Sequence, residues 1–388
     1  MTAALWAGGF TAVITTFHLV SVFVAMIRCR RRRAPLAAPR NAPPVSVVRP
    51  VCGIDNFAEE TLRSTFFLDY PDYEVIFCIA RADDPAIGLV RRLIDEHPTT
   101  AALLLIGDDR ICANPKLNNV VKGWHAALHR WIVLADSNVL MPADYIQRLL
   151  VRWRDDTGSV CSPPVATRPD NFWAEVECAF LNTFQARWQF VADSAGLGFA
   201  QGKSMLFRRD IVTRGGGIEA LGAELAEDAA TTKMIHAAGL RVRLVDNAFE
   251  QPLGVLSARQ IWSRQARWAK LRRLTFPLFY ALEILCGAAL PTLAAAYAAH
   301  ELSVDVAATI GALWLLWYGV ELLLARVAGW HLSARLPFAC LLRDLLMPAL
   351  WIVAWLDDDF VWRGTAMTLS VNEPQPALKT EALSQPRI

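Results

Sequence analysis

The segment from Leu5 to Ile27 contains no charged side chain. As a helix it extends about 34 Å, enough to cross a bilayer core about 30 Å thick. No other feature restricts the fold as strongly, because in hydrocarbon every backbone polar group must be satisfied within the segment itself. A cleaved targeting peptide is the alternative. Against it, the run is long, the arginines (Arg28, Arg30 to Arg33) follow instead of preceding it, and no small-residue cleavage site is evident. The basic cluster is expected to stay cytoplasmic, placing the N-terminus outside and the next domain inside, at the inner membrane of the cell.

Leu278 to Ala299 and Val304 to Val327 form a second apolar pair and read as a helical hairpin, with Arg326 and Arg335 returning to the cytoplasmic side. Glu283 and Glu321 sit inside these runs and must face protein or water. Leu336 to Leu356 is interrupted by Arg343 and Asp344. It reads as a further span, with an in-plane helix as the alternative. The polar, Pro-containing stretch from Val371 to Ile388 is expected to be disordered. A formal charge of +2 is too small to suggest nucleic acid as a partner, and none is expected. Eight cysteines are scattered without a Cys-x-x-Cys pair, which supports neither a disulfide framework nor a zinc site.

After the Pro/Ala-rich linker Ala34 to Pro44, short apolar runs alternate with amphipathic ones, the pattern of an open α/β sheet with flanking helices. Val45 to Val48, Tyr73 to Ile79, Ala101 to Ile106 and Trp131 to Ala135 read as strands. Asn56 to Phe67, Pro85 to Glu96 and Asn118 to His129 read as helices. Ligands of such sheets bind beyond the carboxyl ends of the strands, where Asp83, Asp84 and Asp136 fall.

Asp136-Ser137-Asn138 places two oxygen-bearing side chains one residue apart after a buried strand, a pattern suited to Mg²⁺ or Mn²⁺ and a diphosphate. An Asx turn is the competing reading. Asp83 and Asp84 could accept hydrogen bonds from a nucleoside, or Asp84 could cap the helix that follows. In Asn114-Pro115-Lys116-Leu117-Asn118, Lys116 could meet a phosphate at a helix N-terminus, or Asn118 could simply cap the helix. Glu227-Asp228 opens a helix, where a carboxylate can be a base or merely complement the dipole. Gly202-Lys203-Ser204 lacks the first glycine of a P-loop, since Leu197 stands there, but Lys203 can still line a site. Ser257 to Leu274 is a basic amphipathic helix carrying Arg264, Arg267 and Trp268, able to bind phosphate or to anchor at the interface.

These residues in this order resemble glycosyltransferase family 2-like enzymes of the ceramide glucosyltransferase group. The resemblance runs from Val45-Ser46-Val47-Val48-Arg49-Pro50 through Asp84-Pro85-Ala86, Asp136-Ser137-Asn138, Ala226-Glu227-Asp228 and Arg264-x-x-Arg267-Trp268 to Trp362-Arg363-Gly364. Gln201-Gly202-Lys203-Ser204 brings the chain nearest to bacterial members associated with hopanoid biosynthesis. The resemblance implies a GT-A domain and an inverting transfer from a UDP-sugar to a membrane lipid. Asp228 is then the catalytic base. Asp83, Asp84, Lys116, Asp136, Lys203, Arg264, Arg267 and Trp268 contact the donor, and Asp136 with Asn138 holds Mg²⁺ or Mn²⁺. The expected reaction moves N-acetylglucosamine to bacteriohopanetetrol, with UDP-glucose and ceramide as the alternative. The expected organisation is an N-terminal helix (1–27), a linker (28–44), the GT-A domain (45–256), a basic interfacial helix (257–276), a C-terminal membrane region (277–356) and a tail (357–388).

Overall fold

A computed structural model describes residues 1–29, 34–362 and 365–368. The arginines 30–33 and the tail Val371 to Ile388 lie outside the described residues, as do Arg363 and Gly364.

The catalytic-domain core is a seven-stranded sheet. Its strands are β1 (Val45–Val51), β2 (Tyr73–Ile79), β3 (Ala101–Ile106), β4 (Trp131–Ala135), β5 (Thr157–Cys161), β7 (Ser204–Arg208) and β8 (Arg241–Leu244), in the order β3-β2-β1-β4-β7-β5-β8. β1 pairs in parallel with β2 and β4, and β2 with β3. Only β7 is reversed, antiparallel to both β4 and β5. A small second sheet pairs β6 (Val165–Pro169) with β9 (Glu250–Gly254). The central strands are apolar on both faces because helices cover both. Val48, Ile76, Ile132 and Phe207 pack toward Trp124 on one side, and Val75 and Phe77 toward Val90 and Leu93 on the other. Gly123 lets the helix Pro115–Ala126 lie flush on the sheet: a Cβ there would come within 2.5 Å of Cys78 Sγ and 2.6 Å of Val48 Cγ1.

The four expected strands form as read. The helix expected from Asn118 starts three residues earlier, at Pro115, because Asn114 is the cap and accepts from the N–H groups of Lys116 and Leu117. Asn118 instead faces inward and accepts from the N–H groups of Ile111 and Cys112.

Among the described residues, three helices are long and apolar enough to cross a membrane: Thr2–Arg28, Val306–Ala328 and Leu336–Leu356. Leu278 to Ala299 is not one straight helix, contrary to expectation. Pro277–Cys286 and Ala289–Glu301 meet at 48°, and together they count as a fourth span if one bent span is allowed. The break falls at Gly287 and Ala288, where the Ala288 N–H donates to Asp344 at 3.0 Å. Glu283, Glu321, Arg343 and Asp344, inside these segments, are all paired. Glu321, fully buried, accepts from Arg343 at 3.0 Å and lies 3.7 Å from Arg187, while Arg343 also holds Asp344 at 2.8 Å. Arg187 donates to His18 Nδ1 at 2.6 Å, so the other ring nitrogen carries the proton and donates to the Trp317 carbonyl. Glu283 pairs with Arg272 at 2.6 Å.

Phe172–Cys178, a π-helical turn at Ala179–Ala186 and Arg187–Ser194 run on as one helix from the catalytic domain into this network. Arg28, at the end of the first helix, is held by Asp193 and Asp246.

Candidate active site

Ala135 pairs with Ser204 across β4 and β7, so the next positions, Asp136 and Lys203, face each other where the two strands leave the sheet. The Asp136 N–H donates to the Lys203 carbonyl at 3.0 Å. Lys203 Nζ lies 2.9 Å from Asp136 Oδ2 and 3.4 Å from Asn138 Oδ1. Lys116, from the helix on the sheet, reaches Asp136 Oδ1 at 2.7 Å, Glu227 Oε1 at 2.6 Å and the Gly202 carbonyl at 2.6 Å. Its three ammonium hydrogens are therefore all directed at protein oxygens. Lys116 is a bridge between the two carboxylate segments, and in this arrangement it has no hydrogen left for a phosphate.

Burial disfavours charge on Asp136, but Lys116 and Lys203 outweigh it and hold the carboxyl well below its usual range. Burial pulls Lys203 down, only partly countered by Asp136, and the nearby Arg264 charge lowers it further. Asp228 behaves oppositely. Burial and the adjacent Glu227 charge push it up to about 6, against the pull of Lys116 and of the Gly202 and Ala229 N–H groups. Those two N–H groups fix its oxygens, at 3.1 and 2.9 Å. Glu227 is held by Lys116 and by the Asn114 amide at 2.8 Å, whereas Asp228 is held by backbone N–H groups. Gly202 is needed for this closeness: a Cβ would sit 2.8 Å from Glu227 Oε1 and 3.4 Å from Asp228 Oδ2.

Other expected residues are placed less centrally. Asp84 accepts from the Gly53 N–H at 2.9 Å and the Ala86 N–H at 2.8 Å, tying the ends of β1 and β2 together at the same sheet edge. Asp83 is exposed and paired with its neighbour Arg81 at 2.5 Å. Arg264 points to the fully buried Glu177 at 2.8 Å. Arg267 and Trp268 are half-buried on the same helix, Ala258–Thr275, with Trp268 against the main core. That helix is less a free basic face than the sequence suggests. Besides Arg264, Lys270, Arg272 and Arg273 are paired with Asp357, Glu283 and Asp358.

The chain matches the family described as glycosyl transferase family 21 over residues 13–374. It belongs to that family. It is a glycosyltransferase, and its similarity extends to ceramide glucosyltransferase 1 of Caenorhabditis elegans, 27% identical over 93% of this chain and 78% of that protein. Ceramide glucosyltransferase 3 of the same animal is 24% identical over 93% and 80%. The ceramide glucosyltransferase of Komagataella phaffii is 36% identical, over only 30% of this chain and 24% of its own length. Among solved structures, a mannosyltransferase from Pyrobaculum calidifontis, in complex with GDP-mannose and Mn²⁺, aligns with a TM-score of 0.54. It covers 91% of this chain and 98% of its own at 18% identity, a likeness of fold that agrees with the GT-A sheet.

Family members solved or unsolved aside, the donor set itself bears on a metal. Among the described residues no group of three or more His, Cys, Asp or Glu side chains is placed to hold an ion. Asp136 Oδ2 and Asn138 Oδ1 nonetheless converge on one point, and the Lys203 ammonium stands there as a cation. A carboxylate and an amide oxygen suit Mg²⁺ or Mn²⁺, which keep phosphate oxygens and waters for the rest of their shell. The pair fits such an ion once Lys203 turns aside.

Two residues of the site have no role assigned from the sequence. Arg49 is fully buried under the Asp136 loop and donates to the carbonyls of Asp136, Ser137 and Val139 at 2.9 to 3.0 Å, fixing the turn that aims Asp136. Its signal was a lone arginine inside an apolar strand. Glu177 is the other, and nothing in its local sequence sets it apart from an ordinary helix carboxylate.

Proposed function

We propose that this glycosyltransferase moves glucose from UDP-glucose to the primary hydroxyl of ceramide or a closely similar membrane lipid, with inversion at the anomeric carbon. The observation that carries the substrate assignment is the likeness to two ceramide glucosyltransferases along nearly the whole chain. N-acetylglucosamine and a hopanoid polyol, the reading first preferred from the sequence, have no counterpart among these relatives, and the ceramide alternative fits them.

Asp228 takes the proton from the lipid hydroxyl as that oxygen attacks, and its raised pKa makes it a stronger base than an ordinary carboxylate while leaving it mostly ionised at neutral pH. Asp136 and Asn138 would hold a divalent ion at the diphosphate end of the site. When bound, Mg²⁺ or Mn²⁺ supplies positive charge that offsets the charge developing on the departing UDP. Lys203, displaced from Asp136, turns to a diphosphate oxygen. Arg267 adds a fixed positive charge near the leaving group, and Trp268 borders it. Asp84, its oxygens anchored by two backbone N–H groups, accepts from the nucleoside. The helices at both ends hold this site at a bilayer, with the domain on the cytoplasmic side of the inner membrane, where the arginines after the first helix favour it.

The test is transfer by the purified enzyme in lipid nanodiscs, with UDP-glucose or UDP-N-acetylglucosamine offered against ceramide or bacteriohopanetetrol. Glucosylceramide is the expected product. N-acetylglucosaminyl-bacteriohopanetetrol as the sole product overturns the substrate assignment.

A further inference from the structure

A cavity of 280 Å³ opens between the helix Ala258–Thr275 and the apolar helix Leu336–Leu356. Trp173, Phe180, Ile261, Trp262, Leu346 and Leu350 line it. Its size is at the low end of the roughly 300–1,000 Å³ of small-molecule sites, suited to one chain segment and not a whole lipid. A tighter slot shares Phe180, Gln265 and Leu350 with it and continues along the span toward Tyr280 and Trp351.

The two ends of this cavity differ in chemistry. Trp262, 36% exposed, and Arg259 stand at its outer rim. Gln265, 2% exposed, closes its inner end. The Gln265 amide donates to Glu177 Oε2 at 3.1 Å and accepts from Gln185 at 2.9 Å, while Glu177 Oε1 takes Arg264 at 2.8 Å. Arg264 in turn lies close enough to Lys203, the partner of Asp136, for its charge to be felt there. Polar contacts therefore lead from an apolar slot on a membrane helix as far as Arg264, on the side of the slot that faces the Asp136–Lys203 pair. Glu177 lies just before a π-helical segment and Gln185 within it, a local departure that recurs at functional sites.

Resting on the glycosyl-transfer reading above, we propose that this cavity holds an aliphatic chain of the lipid acceptor. Gln265, held from behind by Glu177, meets the polar group next to that chain. A side-chain amide has two donor hydrogens and an oxygen with two lone pairs. The bonds described leave one hydrogen and one lone pair of Gln265 for a hydroxyl or amide of the acceptor. A membrane helix forms one wall, so the chain enters from the bilayer without passing through water. The acceptor is recognised as an apolar body with a hydroxyl- or amide-bearing head, not by charge.

Ceramide carrying a diazirine in its acyl chain, presented in phosphatidylcholine nanodiscs and activated by light, tests the site by mapping the adducts. Adducts are expected at Ile261, Trp262, Leu346 and Leu350. Two variants that fill the cavity from opposite walls, Leu346→Trp and Ala258→Trp, are each expected to cut that labelling at least fivefold and to raise KM for ceramide by a similar factor. Labelling that instead falls equally on Leu345 and Ile352, on the exposed face of the same helix, and is unchanged in both variants overturns the proposal. The adduct map is read whether or not glucosylceramide forms. Cavity labelling without transfer rejects the ceramide product and keeps the chain site.

Discussion

Replacing Lys116 with Met keeps the length of the side chain and removes its charge and its three hydrogen bonds. Two of those bonds go to carboxylates, and each such bond contributes about 1.5–3 kcal/mol. Breaking a buried ion pair by deleting one partner costs about 3–5 kcal/mol. Some of that is retained here, since Asp136 keeps Lys203 and Glu227 keeps Asn114. About 3 kcal/mol of lost stability is the expected net. At about 2 °C per kcal/mol for a chain of this size, the midpoint of thermal unfolding falls by about 6 °C.

The loss must depend on pH in a defined direction. Asp136 is held below its usual range in the folded protein, so its contribution is present above the ordinary carboxylate pKa and disappears as pH falls through the depressed value. In the variant, Asp136 loses one of its two cations and protonates more readily. The deficit is therefore largest at pH 7.5 and shrinks toward pH 4.5. Tryptophan fluorescence melts of the detergent-solubilised pair at both pH values provide the measurement. A deficit under about 1 kcal/mol at pH 7.5, or one that grows on acidification, refutes the bridge.

Asp228→Asn is expected to bind UDP with unchanged affinity while kcat falls roughly a hundredfold to ten-thousandfold, and wild-type kcat/KM should drop below about pH 6 as Asp228 protonates. The same raised value makes the folded state hold this proton more tightly, so Asp228 contributes less stability as pH rises from about 4 to about 6; parallel loss of UDP binding in the variant would make Asp228 structural. Lys203→Met should tighten Mn²⁺ binding in the absence of nucleotide, read by titration calorimetry, because the ammonium no longer competes for Asp136 and Asn138; unchanged affinity refutes the shared position. With the exposed Cys52 replaced by Ser, a cysteine placed at Arg40 should resist membrane-impermeant maleimide in intact cells, and labelling from outside would reverse the orientation.

The strands of the catalytic domain were legible because each is a short apolar run closed by polar residues, as Trp131 to Ala135 is by Asp136. The carboxylates were legible because they follow such runs. What a linear pattern does not carry is which distant segment arrives opposite. Lys203 is expected to line the site and contact the donor, but nothing in its own segment shows that the reversal of β7 sets it directly against Asp136. Lys116 sat correctly before its helix, but its three acceptors come from three separate segments and turn a phosphate ligand into a bridge. The bend between Glu283 and Ala289 had a signal in Gly287, and hydropathy averages over it. The basic helix misled for a related reason: charge density along Ser257 to Leu274 was visible, but not the carboxylates that neutralise it.

The single helix that runs from Phe172 to Ser194 through its π turn has a kinetic consequence. One part of it presents Glu177, another carries Arg187 into the charge network among the membrane helices, and its last turn holds Arg28 through Asp193. On the proposed lipid-acceptor reading, that one continuous helix ties the site to the membrane helices. The enzyme then meets its two substrates in different dimensions, the donor by diffusion through a volume and the acceptor by diffusion within a sheet. Acceptor supply is a mole fraction in the leaflet, so diluting the membrane with inert lipid slows turnover even when the total amounts of enzyme and acceptor are unchanged. A lipid whose hydroxyl rides higher or lower in the leaflet is discriminated against by its depth, before any contact with the protein distinguishes it.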